Sequence, residues 1–336
     1  MSDGISLSSL KNHACDLPVA DAAMAAAARD RQAELTKPPG SLGRLEELAV
    51  FMAAWQGRVR PDIARAQALV FAGNHGVCAQ GINPFPQEVT QLMVANFQAG
   101  GAAINQLCAV AGADLTVHAP GDLVPTGDFT AGPAMSPDRA GAAFEAGRRS
   151  VDPDADVLIL GEMGIGNSTV AAALAASIFG GGGVDWAGPG TGADPEAVSR
   201  KAQVIDAGLA RHARAAGDGH ASLLAFGGDE QAAIAGAIVG ARQARVPVLL
   251  DGFICTAAAA ILHAEDPRLL NHCLAGHLSA EPGHARLLDA MGLTPVLSFD
   301  MRLGEGSGAA LALMILRGAV ACHTGMATFA EAGIGS

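Results

Sequence analysis

Residues Val157–Leu174 read VLILGEMGIGNSTVAAAL, an apolar run feeding a glycine-rich turn that opens onto an alanine-rich segment. This is the pattern of a buried strand, a loop with little side-chain bulk, and a helix whose exposed N-terminal N–H groups can meet an anion. Gly161 and Gly166 have the spacing of a P-loop, but Asn167 stands where that motif needs its lysine before Ser168, which argues against a triphosphate site. Gly164-Ile165-Gly166 could begin a dinucleotide fingerprint, yet the third glycine would fall at Thr169 and the expected acidic partner is poorly placed. Two readings remain: a plain glycine-rich turn, or an anion site to which Asn167, Ser168 or Thr169 add donors.

Working outward, the short apolar runs ALVFAG, DLTVHA, VLILG, SLLAFG, PVLLDG and PVLSF alternate with segments of helical character from about residue 66 to 300. Buried parallel strands need continuous apolarity rather than a period of two, so the alternation predicts an α/β fold, a Rossmann-like mostly parallel sheet flanked by helices. Ser136-Pro137, Asp194-Pro195-Glu196 and Glu281-Pro282 read as helix starts. Before the sheet, Asp16 to Thr36 reads as a helix broken by Lys37-Pro38-Pro39-Gly40. A second helix follows, which Ser41 can cap and Gly57 closes. The expected organisation is an α/β catalytic domain over residues 61–309 and a helical subdomain formed by residues 1–60 and 310–336.

The 336 residues include 21 Lys and Arg against 33 Asp and Glu, a net charge of -12 that argues against nucleic acid as a partner. An anionic substrate is still compatible with this, because distant charge is screened beyond about 8 Å while helix termini and one or two cations act at contact range. Aromatic residues are 4% and Tyr is absent, so small residues carry the packing. Six scattered cysteines without a Cys-x-x-Cys pair read as reduced, mostly core residues. No apolar run approaches the roughly 20 residues of a membrane span, and the N-terminal stretch lacks an apolar signal region. The expectation is therefore a cytoplasmic protein with no membrane partner.

Several strands end in loops rich in glycine and polar groups: Gly73-Asn74-His75-Gly76, Gly161-Glu162-Met163-Gly164, Gly227-Gly228-Asp229-Glu230 and Asp251-Gly252. In an open α/β sheet such loops face one crevice. The loop Ser279–His284 joins them, with Ser279 able to hydrogen-bond a ligand. In Leu303-Gly304-Glu305-Gly306-Ser307-Gly308 a carboxylate sits between glycines at the mouth of an apolar helix. It is either a base whose pKa is raised by burial, or a helix N-terminal acid that satisfies the dipole.

KPPGSLGRLEELA, FAGNHGV, GEMGIGNST, GGDEQAAIAGAI, DGFI, SAEPGH and RLGEGSGAALAL occur in the order and spacing of the nicotinate-nucleotide:dimethylbenzimidazole phosphoribosyltransferases, and the chain resembles that family over nearly its whole length. The resemblance implies phosphoribosyl transfer from nicotinate mononucleotide to 5,6-dimethylbenzimidazole or a related base, for the lower nucleotide of cobalamin. It implies Glu305 as the general base for the azole N–H and Glu162 as a group that orients substrate and stabilises oxocarbenium charge. Gly164, Ile165, Gly166, Asn167 and Lys201 resemble a cradle for the single 5′-phosphate, and Asp251 a ribose partner. Phe85, Met93 and Leu303 would form an apolar acceptor slot closed by Glu305. No cofactor and no metal are implied, because the leaving group is already a cationic pyridinium and the phosphate does not react. The resemblance also suggests a homodimer.

The sequence departs from the family pattern in two places. Asn74 stands where many relatives carry Asp, which leaves a charge role for that loop open. Phe85 and Met93 replace residues that are polar in some relatives, which leaves acceptor preference open. The rival readings are a nucleotide-binding hydrolase using the histidines between His272 and His284, and a non-catalytic nucleotide-binding module. No metal-ligand spacing supports the first, and the second does not account for Glu305.

Overall fold

The computed structural model describes residues 7–10 and 14–334. Five strands, β1 (Ala66–Ala72), β2 (Ala113–His118), β3 (Val157–Met163), β4 (Val248–Leu250) and β5 (Cys273–Ala275), form an all-parallel sheet in the order β2-β1-β3-β4-β5. Alternate side chains enter two cores. Leu69, Phe71, Leu158, Leu160 and Leu250 face one, whereas Ala68, Val70, Val157, Ile159 and Leu249 face the other. Because both faces are covered by helices, the strands read as unbroken apolar runs.

On the first face the helices Pro137–Ser150 and Asp229–Ala244 cross at van der Waals range, since a Cβ on Gly147 would lie 1.8 Å from the Ala233 carbonyl and one on Gly236 1.8 Å from that of Phe144. The small-residue composition is thus spent on close helix packing. Ser136 and Asp194 cap their helices by accepting from Arg139 N–H and Ala197 N–H.

Four expectations are corrected. SLLAFG lies in the helix Gly219–Phe226: Asp218 caps its start, and the run has no β-branched residue to favour a strand. PVLSF contributes only β7 (Leu297–Ser298), paired with β6 (His277–Leu278) in a separate two-stranded sheet, while β5 is not among the apolar runs read as strands. The second helix, Arg44–Gln56, starts at Gly43 and not at Ser41, and Glu46 from its own first turn accepts from Leu42 N–H and from Lys37 Nζ. The first helix is shorter than expected, Ala22–Glu34, with Asp21 as its cap, and Gly57 ends the second in the left-handed conformation as read.

The two ends of the chain meet. Leu35 and Thr328 form an antiparallel bridge, and Arg31 donates to the carbonyls of His323 and Met326. The helix Ser307–Gly325 runs without a break through residues 309 and 310 and packs on both the sheet and the Arg44–Gln56 helix. Its 19 residues are apolar enough by length and composition to cross a membrane, contrary to the sequence reading, in which no run came close to that length. Half of that stretch is buried inside the protein, and its Arg317 donates to the Ile63 and Gly112 carbonyls.

Candidate active site

Strand order reverses between β1 and β3, and at such a switch point the loops leaving the strand ends diverge and open a crevice. There Gly73 N–H donates to the Met163 carbonyl, and a Cβ on Gly164 would stand 2.6 Å from the Gly73 carbonyl. An opening lies over the ends of β3 and β4. Its wall brings together Glu162, Gly164, Ile165, Gly166, Asn167, Lys201, Ser279 and Leu303 from the sequence-derived set.

At one part of this wall the β3 turn enters the helix Asn167–Phe179. Gly166 stands at φ 94, and a Cβ there would meet Cys78 Sγ at 2.5 Å, so the turn admits only glycine without rearrangement. Lys201 Nζ donates to Ser168 Oγ and to the Gly188 carbonyl, each at 3.2 Å. Burial lowers the Lys201 ammonium from its usual range, opposed by the Glu281 charge. Asn167 is partly committed, since its side-chain amide donates to Glu162 Oε2 and its N–H to the Gly164 carbonyl. Ile165 N–H is likewise committed, to Thr90 Oγ1 at 3.1 Å.

Glu162 is 5% exposed, and burial first, then the charges of Asp251 and Glu230, push its carboxyl up to about 8. It is therefore largely protonated at neutral pH. Glu305 is also buried and takes φ 65, a conformation unusual outside glycine, between Gly304 at φ 85 and Gly306 at φ 89. Its carboxylate is turned toward Ile104 N–H in the first turn of the helix Ala103–Ala111, and its Oε2 has no hydrogen-bond partner among the described residues. Burial raises its pKa, and so does Asp251. The helix terminus it faces is that of Ala103–Ala111 and not of the Ser307–Gly325 helix that follows it, and Glu305 lies behind Gly304 and Leu303 rather than on the cavity wall.

Asp251 does not line the cavity. Its oxygens accept from the N–H groups of Gly306, Gly308 and Ala309 at 2.9–3.1 Å and approach His277 Nε2 at 3.3 Å. It caps the Ser307–Gly325 helix rather than presenting a free carboxylate to ribose. The acceptor slot is not closed either. Phe85 is 49% and Leu303 52% exposed, on different walls, with Phe85 in an adjoining opening that shares Asn83 and Pro84. Met93 packs against the second core, on neither wall.

The loops after β1 and before the helix Asp229–Ala244 lie beneath the cavity. His75 Nε2 and Glu230 Oε1 touch at 2.7 Å, both fully buried, Asn74 donates to the Leu123 carbonyl, and Asp229 is held by Arg139. Of the histidines in the rival reading, His277 and His284 lie with ring centroids 6.3 Å apart while His272 stands away from them, and each is tied to other partners. His272 bonds to the Ile238 carbonyl, His277 meets Asp251, and His284 meets Ser279 and Thr256. Among the described residues no group of three or more His, Cys, Asp or Glu has a metal-holding arrangement.

His284 is pushed down to about 3, by burial and then by His277, so it is neutral. Ser279 N–H can only donate to its Nδ1, at 2.9 Å, which leaves the ring proton on Nε2 facing Thr256 Oγ1 at 3.1 Å. Ser279 is thereby held in place on the cavity wall.

Sequence reasoning missed Gly190, Thr191, Glu281 and Arg302, all on the cavity wall. The string Gly188-Pro189-Gly190-Thr191-Gly192 was a visible glycine-rich signal, and Glu281 and Arg302 lay inside motifs already singled out.

A family model described as a phosphoribosyltransferase matches residues 17–334. A nicotinate-nucleotide–dimethylbenzimidazole phosphoribosyltransferase of Rhodobacter capsulatus is 61% identical over 318 residues, 95% of each chain. One of Ruegeria pomeroyi is 56% identical over 317 residues, 94% of each chain. The crystal structure of the Thermus thermophilus protein of the same name superposes with a TM-score of 0.86 at 42% identity, covering 94% of this chain and 99% of that one.

Proposed function

This chain belongs to the nicotinate-nucleotide–dimethylbenzimidazole phosphoribosyltransferase family, and from that premise we propose how its cavity carries out the reaction. The enzyme moves the phosphoribosyl group of nicotinate mononucleotide to 5,6-dimethylbenzimidazole, releasing nicotinate and giving α-ribazole 5′-phosphate for cobalamin nucleotide-loop assembly. In our reading the 5′-phosphate lies against Lys201, Ser168 and the remaining turn amides, where the helix terminus and one ammonium supply positive field without a P-loop lysine.

The acceptor enters from the side of Leu303, whose exposed apolar surface a flat base would cover. Glu305 takes the azole N–H proton while the other ring nitrogen bonds to the anomeric carbon. The bond from that carbon to the pyridinium nitrogen breaks, and its electron pair neutralises the leaving ring, so no acid is needed. Glu162, protonated and tied to Asn167, orients ribose. A base of this kind supplies about 10²- to 10⁴-fold, and alignment of the two substrates supplies more.

The observation that carries the reading is one cavity wall shared by Lys201 and Glu162, with Glu305 bonded to Glu162 through the main chain. A product assay tests it. Nicotinate should be released from the mononucleotide only when a benzimidazole is present, whereas release in water alone would favour a hydrolase and no release a binding module. We further propose a cytoplasmic homodimer. The family resemblance and six free cysteines support it, and light scattering reads the mass.

A further inference from the structure

Glu281 precedes the helix Pro282–Met291 and is 8% exposed, yet its carboxylate lines the same cavity as Lys201. Its Oε1 accepts from Gly190 N–H at 2.8 Å. Its Oε2 is buried without a hydrogen-bond partner among the described residues and lies so close to the chain that a Cβ on Gly188 would be 2.2 Å away. Three charged side chains therefore tie down the loop 188–192: Lys201 at the Gly188 carbonyl, Arg302 at the Gly190 carbonyl over 2.9 Å, and Glu281 at the Gly190 amide. Gly190 itself, at φ 53, covers Ser168 Oγ and Lys201 Nζ, which a Cβ would approach to 2.8 and 3.2 Å.

A carboxylate thus occupies the field of the cation assigned to the phosphate, with one bare oxygen and no donor to quench it. An arriving phosphate and an ionised Glu281 repel each other in a poorly hydrated pocket, where the interaction is least screened. A proton on Oε2 removes that repulsion and turns the orphan acceptor into a donor, while Oε1 keeps its bond to Gly190. We infer that Glu281 takes up a proton as the 5′-phosphate binds, so that this residue couples nicotinate mononucleotide affinity to pH. The inference rests on the assignment of the phosphate to the Lys201 end.

The charged groups facing Glu281 are Lys201 from the helix Pro195–Arg211 and Arg302 from the loop before Glu305. Cys78, near Lys201, is pushed up to about 11 by burial and stays neutral, and Glu162 and His277 stand elsewhere on the wall. Burial already holds the Glu281 carboxyl above its ordinary range against the pull of Lys201 and Arg302, which makes the proton easier to acquire.

Calorimetry in two buffers of different ionisation enthalpy counts the protons taken up on binding. At pH 7.5 the wild type should take up more protons with nicotinate mononucleotide than Glu281→Gln does, by as much as one. The ligand's own ionisation, with its second phosphate pKa near 6, is common to both and cancels. KM for the mononucleotide should rise with pH above the Glu281 pKa by up to about ten-fold per unit in the wild type and less steeply in the variant. The wild type binding the corresponding nucleoside, which lacks the phosphate, should show no such uptake. Equal proton counts for wild type and variant, or the same uptake with the nucleoside, would overturn the inference. Lys201→Ala tests the underlying assignment separately: it should weaken the mononucleotide and spare the nucleoside, and equal retention of both would overturn the phosphate end itself.

Discussion

The backbone N–H of Glu305 donates to the carbonyl oxygen of Glu162 over 3.2 Å, so the loop that carries one carboxyl is bonded to the end of the strand that carries the other. Glycines make the approach possible on both sides. A Cβ on Gly161 would lie 2.5 Å from Gly306 N, and one on Gly304 would lie 2.4 Å from Glu162 Oε1.

Gly304→Ala should therefore lower turnover by at least about 10-fold, because the new methyl must displace the Glu162 carboxyl and misplacement by about 1 Å can cost 100-fold. The left-handed φ of 85 adds backbone strain, so the melting temperature should fall as well. Steady-state kinetics and thermal unfolding read the two effects, and unchanged turnover would show that the Glu162 position does not matter.

Asp251→Asn should act on stability first. The carboxylate accepts three N–H bonds at the start of the Ser307–Gly325 helix and meets His277, and loss of such charge-assisted bonds costs about 1.5–3 kcal/mol. Urea unfolding measures this. Full stability with weakened mononucleotide binding would instead restore the ribose contact expected from the family.

Glu162 makes stability fall as pH rises. Its folded pKa of about 8 lies above the ordinary 4.5, so between these values the folded state holds more protons than the unfolded chain. The contribution is intact below about pH 4.5 and is lost as pH climbs toward 8, at up to about 1.4 kcal/mol per unit. Glu162→Gln should gain on the wild type in urea unfolding between pH 5.5 and 7.5, and a constant gap between the two proteins across that range would contradict the assignment.

Turnover should survive a chelator. The phosphate stays on the ribose and the pyridinium ring of the leaving group becomes neutral as the bond breaks, so the proposed displacement asks for no Lewis acid. Complete loss with EDTA, restored by one divalent ion, would point to metal-assisted chemistry.

Much of the architecture was legible because buried parallel strands leave a trace in continuous apolarity: VLILG, ALVFAG and PVLLDG are apolar at every position that faces one of the two cores. SLLAFG carries the same composition and became a helix, since apolarity reports burial while Asp218 and the lack of β-branching decide the conformation. The turn at Gly164–Asn167 and Lys201, 34 residues further on, were legible as one region only through the family pattern, because no local rule links them. The true partners of Asn167 and Asp251 were not legible. Each is a polar side chain with several possible acceptors or donors, and only the packed structure shows that one serves Glu162 and the other a helix start. Glu281 was read as a helix start, which it is, and its second role depends on a loop 91 residues away in sequence.

The division of labour between Glu305 and Glu162 is the central claim, and the pH–rate profile of Glu305→Gln measures it most directly. Wild-type turnover should fall on the acid side as the Glu305 carboxylate protonates, at a midpoint above the ordinary glutamate value because burial raises it. Any protonation of the acceptor base is shared by all variants and cancels in the comparison. Glu305→Gln should lose at least about 10² in turnover at neutral pH and lack that limb, with little change in substrate binding, while Glu162→Gln should keep the limb at reduced rate. Near-normal turnover in Glu305→Gln, together with loss of both rate and acid limb in Glu162→Gln, would contradict the account and exchange the two roles.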